Sequence, residues 1–259
     1  MIRTLRHTAG HPVYLKNNAA HQFAAQHALC HYRSRSIYSF IPKNACSTMR
    51  LSIAIANGAI RGPEEHAFIH ANNPTFAAEL RDLVTAGFSF VILRDPLERL
   101  ASVYLDKIVG VTPEFWQLHS RLGHEGNPED MTFRRFVDAI ALPGILRSNP
   151  HWRPQVDFLV YDVYDLYIQL PELNSHREVL RERAGLELHD ARPMTRHGTD
   201  QYTLVDDNCF ADIEPVAIRE MYREGKCPAH RALFDSSLRE KARQLYAQDF
   251  RLMTERFAG

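Results

Sequence analysis

Residues 42–48 read Pro-Lys-Asn-Ala-Cys-Ser-Thr: one cation among small and polar residues. The stretch lies between a short apolar run, Ile37 to Ile41, and an amphipathic segment that starts at Thr48, carries Met49, Leu51, Ile53 and Ile55, and stops at Asn57-Gly58. The spacing predicts a buried strand, a tight loop and a helix. Pro42 ends strand pairing because it has no N–H to donate. The first N–H groups of a helix lack intrahelical partners and carry the positive end of the macrodipole, so such a loop suits an oxyanion. Lys43 adds a full charge at the mouth. Ser47 and Thr48 add hydroxyl donors, and Ser47 is also placed to cap the helix. Read alone, the same residues also describe an ordinary capped βα turn with a solvated lysine. They are not a Walker A loop, which needs glycines and a lysine next to the Ser/Thr.

A second unit of the same kind spans 88–108. Phe88 to Leu93 is a nearly continuous apolar run, as in a strand buried on both faces of a parallel sheet. Asp95, Pro96 and Glu98 have the spacing of a helix cap, a first helical proline and a capping box. Leu97, Leu100, Ala101, Tyr104 and Ile108 form the apolar face of the helix that follows. Arg94 ends the strand, where open α/β sheets bind their ligands, and its planar fork suits phosphate. The plainer alternative is a surface ion pair, Arg94–Asp95 or Asp95–Arg99, worth little. Ser102 alone is an ordinary helix serine.

The elements around these units form one α/β chain, read as a single domain over residues 1–259. Residues 1–35 read as an irregular surface segment with a short helix at Ala19–Leu29. Residues 59–78 are irregular apart from a short strand at Phe68-Ile69 that ends at His70, and a helix is expected from Pro74 to Thr85. Short helices are expected within 111–150, the later one at Thr132–Ile140. A proline-bounded loop, Asn149 to Gln155, leads to strands at Val156–Tyr161 and Leu166–Leu170. Helices follow at Pro171–Gly185, Glu214–Glu224 and Ser236–Phe257. Between them, 187–211 is a long polar loop with Arg192, Arg196, His197 and Thr199, and a loop of that length usually has a function or is disordered.

Composition narrows the function classes. Lys+Arg and Asp+Glu balance at 31 each, so no global field points to nucleic acid or an anionic membrane, and an anion site must be local. The four cysteines, Cys30, Cys46, Cys209 and Cys227, form no C-x-x-C pair, which fits a reducing compartment. Cys227 and His230, with Cys209 nearby, have poor metal-ligand spacing. No apolar run approaches the ~20 residues of a membrane span, and no signal-peptide apolar region opens the chain. A chain complete as it stands would be cytoplasmic; removal of an anchored N-terminus would leave no trace in this stretch.

Taken together, the motifs resemble those of a known family. Pro42 to Thr48 followed by an amphipathic helix resembles the 5′-phosphosulfate loop of sulfotransferases. Arg94-Asp95-Pro96-Leu97-Glu98-Arg99-Leu100-Ala101-Ser102-Val103-Tyr104, with Lys107 three residues on, resembles their 3′-phosphate element. Asn149-Pro150-His151-Trp152-Arg153-Pro154-Gln155 resembles a His-Trp-x-Pro signature of the Golgi-type carbohydrate sulfotransferases (sulfotransferase family 2) and their bacterial relatives. Leu245-Tyr246-Ala247-Gln248-Asp249-Phe250 resembles the Tyr-x-x-Asp-Phe that closes such chains. The four matches fall in order over residues 37–250.

The resemblance implies a P-loop-like parallel β-sheet with helices on both faces, and 3′-phosphoadenosine 5′-phosphosulfate (PAPS) as co-substrate. It implies that Lys43, with the N–H groups of Asn44, Ala45, Cys46, Ser47 and Thr48, holds the 5′ phosphosulfate, and that Arg94 and Ser102 hold the 3′ phosphate. It implies no metal, because the donor lacks the triphosphate charge that Mg²⁺ clamps. The acceptor is then a hydroxyl, most simply of a carbohydrate, and its proton needs a base. His70, 24 residues before Arg94, stands about where uronyl 2-O-sulfotransferases of this family place a catalytic histidine; His66, Glu65 and His151 are the other candidates. Arg147, Arg153, Arg192 and Arg196 could meet an anionic glycan. The loop departs from many family loops in having Ala45-Cys46 where they have glycine or a Thr-Ser pair. Two other classes compete: an ATP-using P-loop kinase-like enzyme, against which the missing glycine-rich loop argues, and a nucleotide-binding protein without catalysis. Oligomeric state is not legible.

Overall fold

A computed structural model describes residues 3–8, 13–72, 74–123, 127–195, 198–199 and 201–257. Along the chain run α1 (Ala19–Gln26), β1 (Ala28–His31), β2 (Ser36–Ser39), α2 (Cys46–Ala56), α3 (Phe68–Ala71), α4 (Leu80–Val84), β3 (Phe88–Leu93), α5 (Pro96–Val103), α6 (Pro113–Arg121), α7 (Phe133–Ala141), β4 (Leu166–Gln169), α8 (Arg177–Val179), α9 (Arg192–Thr195), β5 (Thr203–Val205), α10 (Pro215–Arg223), β6 (Lys226–Pro228), α11 (Ser236–Leu245) and α12 (Ala247–Phe257). Two compact units emerge, residues 1–94 with 155–195 and residues 95–154 with 196–259.

The first unit is built on a mixed sheet of order β1-β2-β3-β4. β2 runs parallel to β3, with Ile37 opposite Ser89, and β3 parallel to β4, with Phe90 opposite Leu166. β1 is the antiparallel edge. This is the parallel-rich α/β fold expected from the two strand–loop–helix units. Every residue of β3 is buried, which its unbroken apolar run requires. Met49, Leu51, Ile53 and Ala54 of α2 pack into the same core as Tyr38, Phe90 and Ile92. Because β2 and β3 are parallel neighbours, the loop after β2 and the first residues after β3 emerge side by side at the carboxyl edge. Asp165 shows how a carboxylate is held inside this unit. Burial alone would raise the Asp165 carboxyl, but the Arg3 guanidinium at 2.6 Å and hydrogen bonds from Ser89 outweigh it and hold it below the usual aspartate range.

The second unit has its own core, in which Tyr104, Phe133 and Phe234 meet edge to face. Asp95 caps α5 by accepting from the N–H groups of Leu97 and Glu98, as its spacing predicts. The Glu98 carboxylate takes a 2.5 Å hydrogen bond from His230 Nδ1. α5 passes into a wider turn at Tyr104–Ile108. Thr132 caps α7 through Arg135 N–H. β5 and β6 form a parallel pair.

Several expectations are corrected. The helix at Ala19–Leu29 stops at Gln26, and the residues after it form β1, buried throughout; part of the supposed surface segment is therefore sheet edge. Phe68-Ile69 lies in the short helix α3. The helix foreseen from Pro74 shrinks to α4, because Phe76 C=O accepts from Cys30 N–H and Ala77 bridges Leu29. Val156–Tyr161 begins as a 3₁₀ turn, Gln155–Phe158, and reaches β pairing only in an isolated bridge from Tyr161 to Leu5. The C-terminal helix breaks at Tyr246. The loop 187–211 contains α9 and β5, while Arg196 and His197 lie outside the described residues. Among the described residues, no helix is long and apolar enough to cross a membrane.

Candidate active site

The loop between β2 and α2 is shaped by backbone conformations that its residues adopt reluctantly. Lys43 has φ 72° and Ala45 has φ 54°, both in the left-handed region although neither is glycine. Asn44, between them, is not in that region. Such alternation is the backbone pattern of an anion nest, but the Asn44 N–H, expected to face the phosphosulfate, is instead given to Ile41 C=O at 3.2 Å. Ala45 is the residue before the helix, and no side chain caps α2. Ser47 therefore does not cap; it is the second helical residue. The first intrahelical bond runs from Met49 N–H to Ala45 C=O at 3.0 Å, so the N–H groups of Cys46, Ser47 and Thr48 precede it. No acidic residue stands in the first turn.

Strain at Ala45 leads to a direct prediction. The left-handed conformation costs an L-residue about 1–2 kcal/mol, and glycine's extra chain entropy takes back about 0.5–1 kcal/mol. Ala45→Gly should raise the melting temperature by about 1–4 °C. A lower melting temperature would show that the alanine methyl holds packing that outweighs the strain.

A buried amide network fixes this loop to the end of β3. Asn44, fully buried, donates through Nδ2 to Ile92 C=O at 2.9 Å and to Gln155 Oε1 at 2.6 Å. Gln155 pairs with the Arg94 backbone in both directions: its Oε1 accepts from Arg94 N–H at 3.1 Å, and its Nε2 donates to Arg94 C=O at 2.8 Å. Arg94 Nη1 in turn donates to Lys43 C=O at 3.2 Å. Lys43 and Arg94 are thus brought together, and both are half-buried. Gln155 is a positioning residue to which the sequence reading gave no role; the available signal was its place at the end of the Asn149–Gln155 motif, directly after a proline and before an apolar run. On α2, Thr48 Oγ1 accepts from Ala191 N–H at 3.2 Å and so keeps its own proton to give. Ser52 Oγ accepts from His189 N–H at 2.9 Å but gives its own proton to Thr48 C=O at 2.8 Å.

His70 is exposed on α3, in the same unit as Lys43. Of the other base candidates there, Glu65 accepts from Arg61 N–H at 2.6 Å, and His66 has a buried Nδ1 without a hydrogen-bond partner. Among the arginines proposed for a glycan, Arg192 is held by Asp190 at 2.8 Å, and Arg196 lies outside the described residues.

The remaining motifs meet in the second unit, which carries Ser102, half-buried on α5. Arg99, buried, donates to Arg153 C=O at 2.8 Å and to Pro150 C=O at 3.1 Å. Tyr246 OH donates to Trp152 C=O at 2.6 Å, and Trp152 Nε1 to Ile145 C=O at 3.0 Å. Asn149 accepts from His151 N–H at 2.9 Å and donates to Gln117 at 2.7 Å. Arg99 and Tyr246 together clamp the 149–154 loop by its carbonyls. His151 lies 3.7 Å from Glu114, whose carboxyl burial would raise; Thr112, a backbone hydrogen bond and the neighbouring cations hold it below its usual value.

With this geometry in place, comparison with known proteins is informative. Residues 26–253 match the model of the sulfotransferase family, and the chain belongs to that family. Carbohydrate sulfotransferase 14 of Mus musculus and its Homo sapiens counterpart are each 28% identical to it over 172 residues, covering 59% of this chain and 46% of theirs. The Danio rerio protein of the same name is 26% identical over 219 residues, 72% of this chain and 57% of its own. The chain spans about half the length of these curated relatives. No solved structure matches at a comparable level of significance.

Proposed function

We propose that the chain transfers a sulfuryl group from PAPS to a carbohydrate hydroxyl. One observation carries the reading: in a chain of the sulfotransferase family, α2 begins without a side-chain cap, behind a loop in which Lys43 and Ala45 both take left-handed backbone. This donor set fits a phosphosulfate, since it offers backbone N–H groups, hydroxyls and a cation, with no carboxylate in the first turn. The bound donor would supply an activated sulfuryl group, and its transfer leaves negative charge on a phosphate oxygen. Lys43 neutralises that charge, with the N–H groups of Cys46 to Thr48 and the Thr48 hydroxyl beside it. Arg94 and Ser102 carry over from the motif's resemblance as ligands of the 3′ phosphate. His70 takes the acceptor proton, a role suited to imidazole near neutral pH. A carbohydrate acceptor is supported by the printed names of the relatives.

The test is incubation with PAPS and a panel of oligosaccharides. Release of adenosine 3′,5′-bisphosphate in step with sulfated product is expected, and phosphoryl transfer from ATP in its place would overturn the reading. Ser102→Ala should weaken binding of the 3′-phosphorylated nucleotide about tenfold and leave AMP unchanged; equal losses would remove the role. His70→Ala should lower kcat about a hundredfold or more with donor KM unchanged. Near-normal turnover would move the base elsewhere, with His66 next in line.

A further inference from the structure

Arg50 lies one helical turn after Cys46 on α2, on the same face, and side chains on a helix lean toward its N-terminus. The residue is half-buried, and its Nη2 is sealed from solvent without a hydrogen-bond partner. Among the described residues the guanidinium has no ion pair either; it lies over the Phe40 ring, 5.7 Å from Cζ to centroid, just after β2. Burial pulls its pKa down, and the titratable groups acting against that are Cys46 and Tyr38, a thiol and a phenol. No carboxylate is among them. A desolvated cation is normally paired, because leaving it alone forfeits hydration without return. Here the cation is near enough to Cys46, the first residue of α2, to interact with its thiol, in a turn where carboxylates are also missing.

We propose that Arg50 is an anion-binding residue of this loop, a guanidinium left without a protein counter-charge so that the 5′-side oxyanion of a bound nucleotide supplies it. The inference rests on the nucleotide reading above and adds a second cation to Lys43. It also accounts for a charge that the fold alone does not explain. A ring contact by itself is a weak reason to bury an arginine, since a cation over an aromatic face contributes little unless both are desolvated.

The test compares the unmodified chain, Arg50→Met and Arg50→Lys. Each is titrated calorimetrically with adenosine 3′,5′-bisphosphate, 5′-AMP and 3′-AMP, and each is melted without ligand. Arg50→Met should weaken both 5′-phosphorylated nucleotides about tenfold or more and spare 3′-AMP. Arg50→Lys should retain most of the affinity. Without ligand, Arg50→Met should unfold at about the same temperature, because no protein ion pair is lost with the guanidinium. Unchanged affinity for the 5′-phosphorylated nucleotides would overturn the inference. So would equal losses on all three nucleotides, or a lower unliganded melting temperature that Lys does not restore, which would make Arg50 a structural prop. Failure of the unmodified chain to bind any of the three would overturn the nucleotide reading and this inference with it, an outcome read before any variant is compared.

Discussion

Lys43→Ala should lower kcat by about a hundred- to a thousandfold and leave the melting temperature unchanged. The magnitude is that of removing one preorganised donor from the place where transition-state charge develops. The fold should tolerate the change because alanine keeps the backbone role of residue 43: its carbonyl accepts from Arg94 Nη1, and its φ of 72° strains alanine no more than lysine. KM for the donor should change far less than kcat if Lys43 acts mainly on the departing phosphate. Lys43→Arg should recover only part of the rate, since a planar fork does not reproduce a point charge. Near-normal turnover of the alanine variant would remove Lys43 from the mechanism. Loss of rate together with a collapsed melting temperature would show that the lysine stem supports the loop.

Arg99→Met should have the largest effect on stability. It leaves the Pro150 and Arg153 carbonyls without their buried donor, at about 1–2 kcal/mol each, which lowers the melting temperature by about 5–15 °C. Arg99 and the buried Asp249 both act on the Tyr246 hydroxyl, so the variant also takes a cation from the neighbourhood of that carboxylate. Tyr246→Phe removes only the hydrogen bond to Trp152 C=O and should cost about 1 kcal/mol. Equal melting temperatures for the two variants would contradict the clamp. On this account the Arg99 and Tyr246 positions within their motifs are structural: they shape the His-Trp-Arg-Pro loop and do not touch the donor.

What could be read from the sequence follows a physical divide. β3 and the start of α5 were readable because everything that defines them is local: an unbroken apolar run, then Asp95 and Pro96 at cap spacing. Thr132 before α7 is the same case. β1 was hidden, because Ala28-Leu29-Cys30-His31 continues a helical pattern and becomes a strand only by pairing with β2. Phe76-Ala77 left its expected helix for the same kind of reason, captured by Leu29 and Cys30. Val156–Tyr161 shows that a short apolar run does not specify its period. At the site, Lys43 and Arg94 were found by type and position, at the ends of adjacent parallel strands. The Asn44–Gln155 bridge joins residues 111 positions apart, and no local spacing announces it. The left-handed Ala45 was masked by the lack of a glycine, and the isolation of Arg50 is a property of its surroundings.

The measurement that bears most directly on the nucleotide site is thermal unfolding with adenosine 3′,5′-bisphosphate, set beside AMP, ADP and ATP. A ligand that binds only the folded chain stabilises it by about 2.7 kcal/mol at a hundredfold excess over Kd, a rise of about 5–10 °C. The account predicts that rise with the bisphosphate and a much smaller one with each of the others. A rise with ATP alone, or none with any of the four, would contradict it.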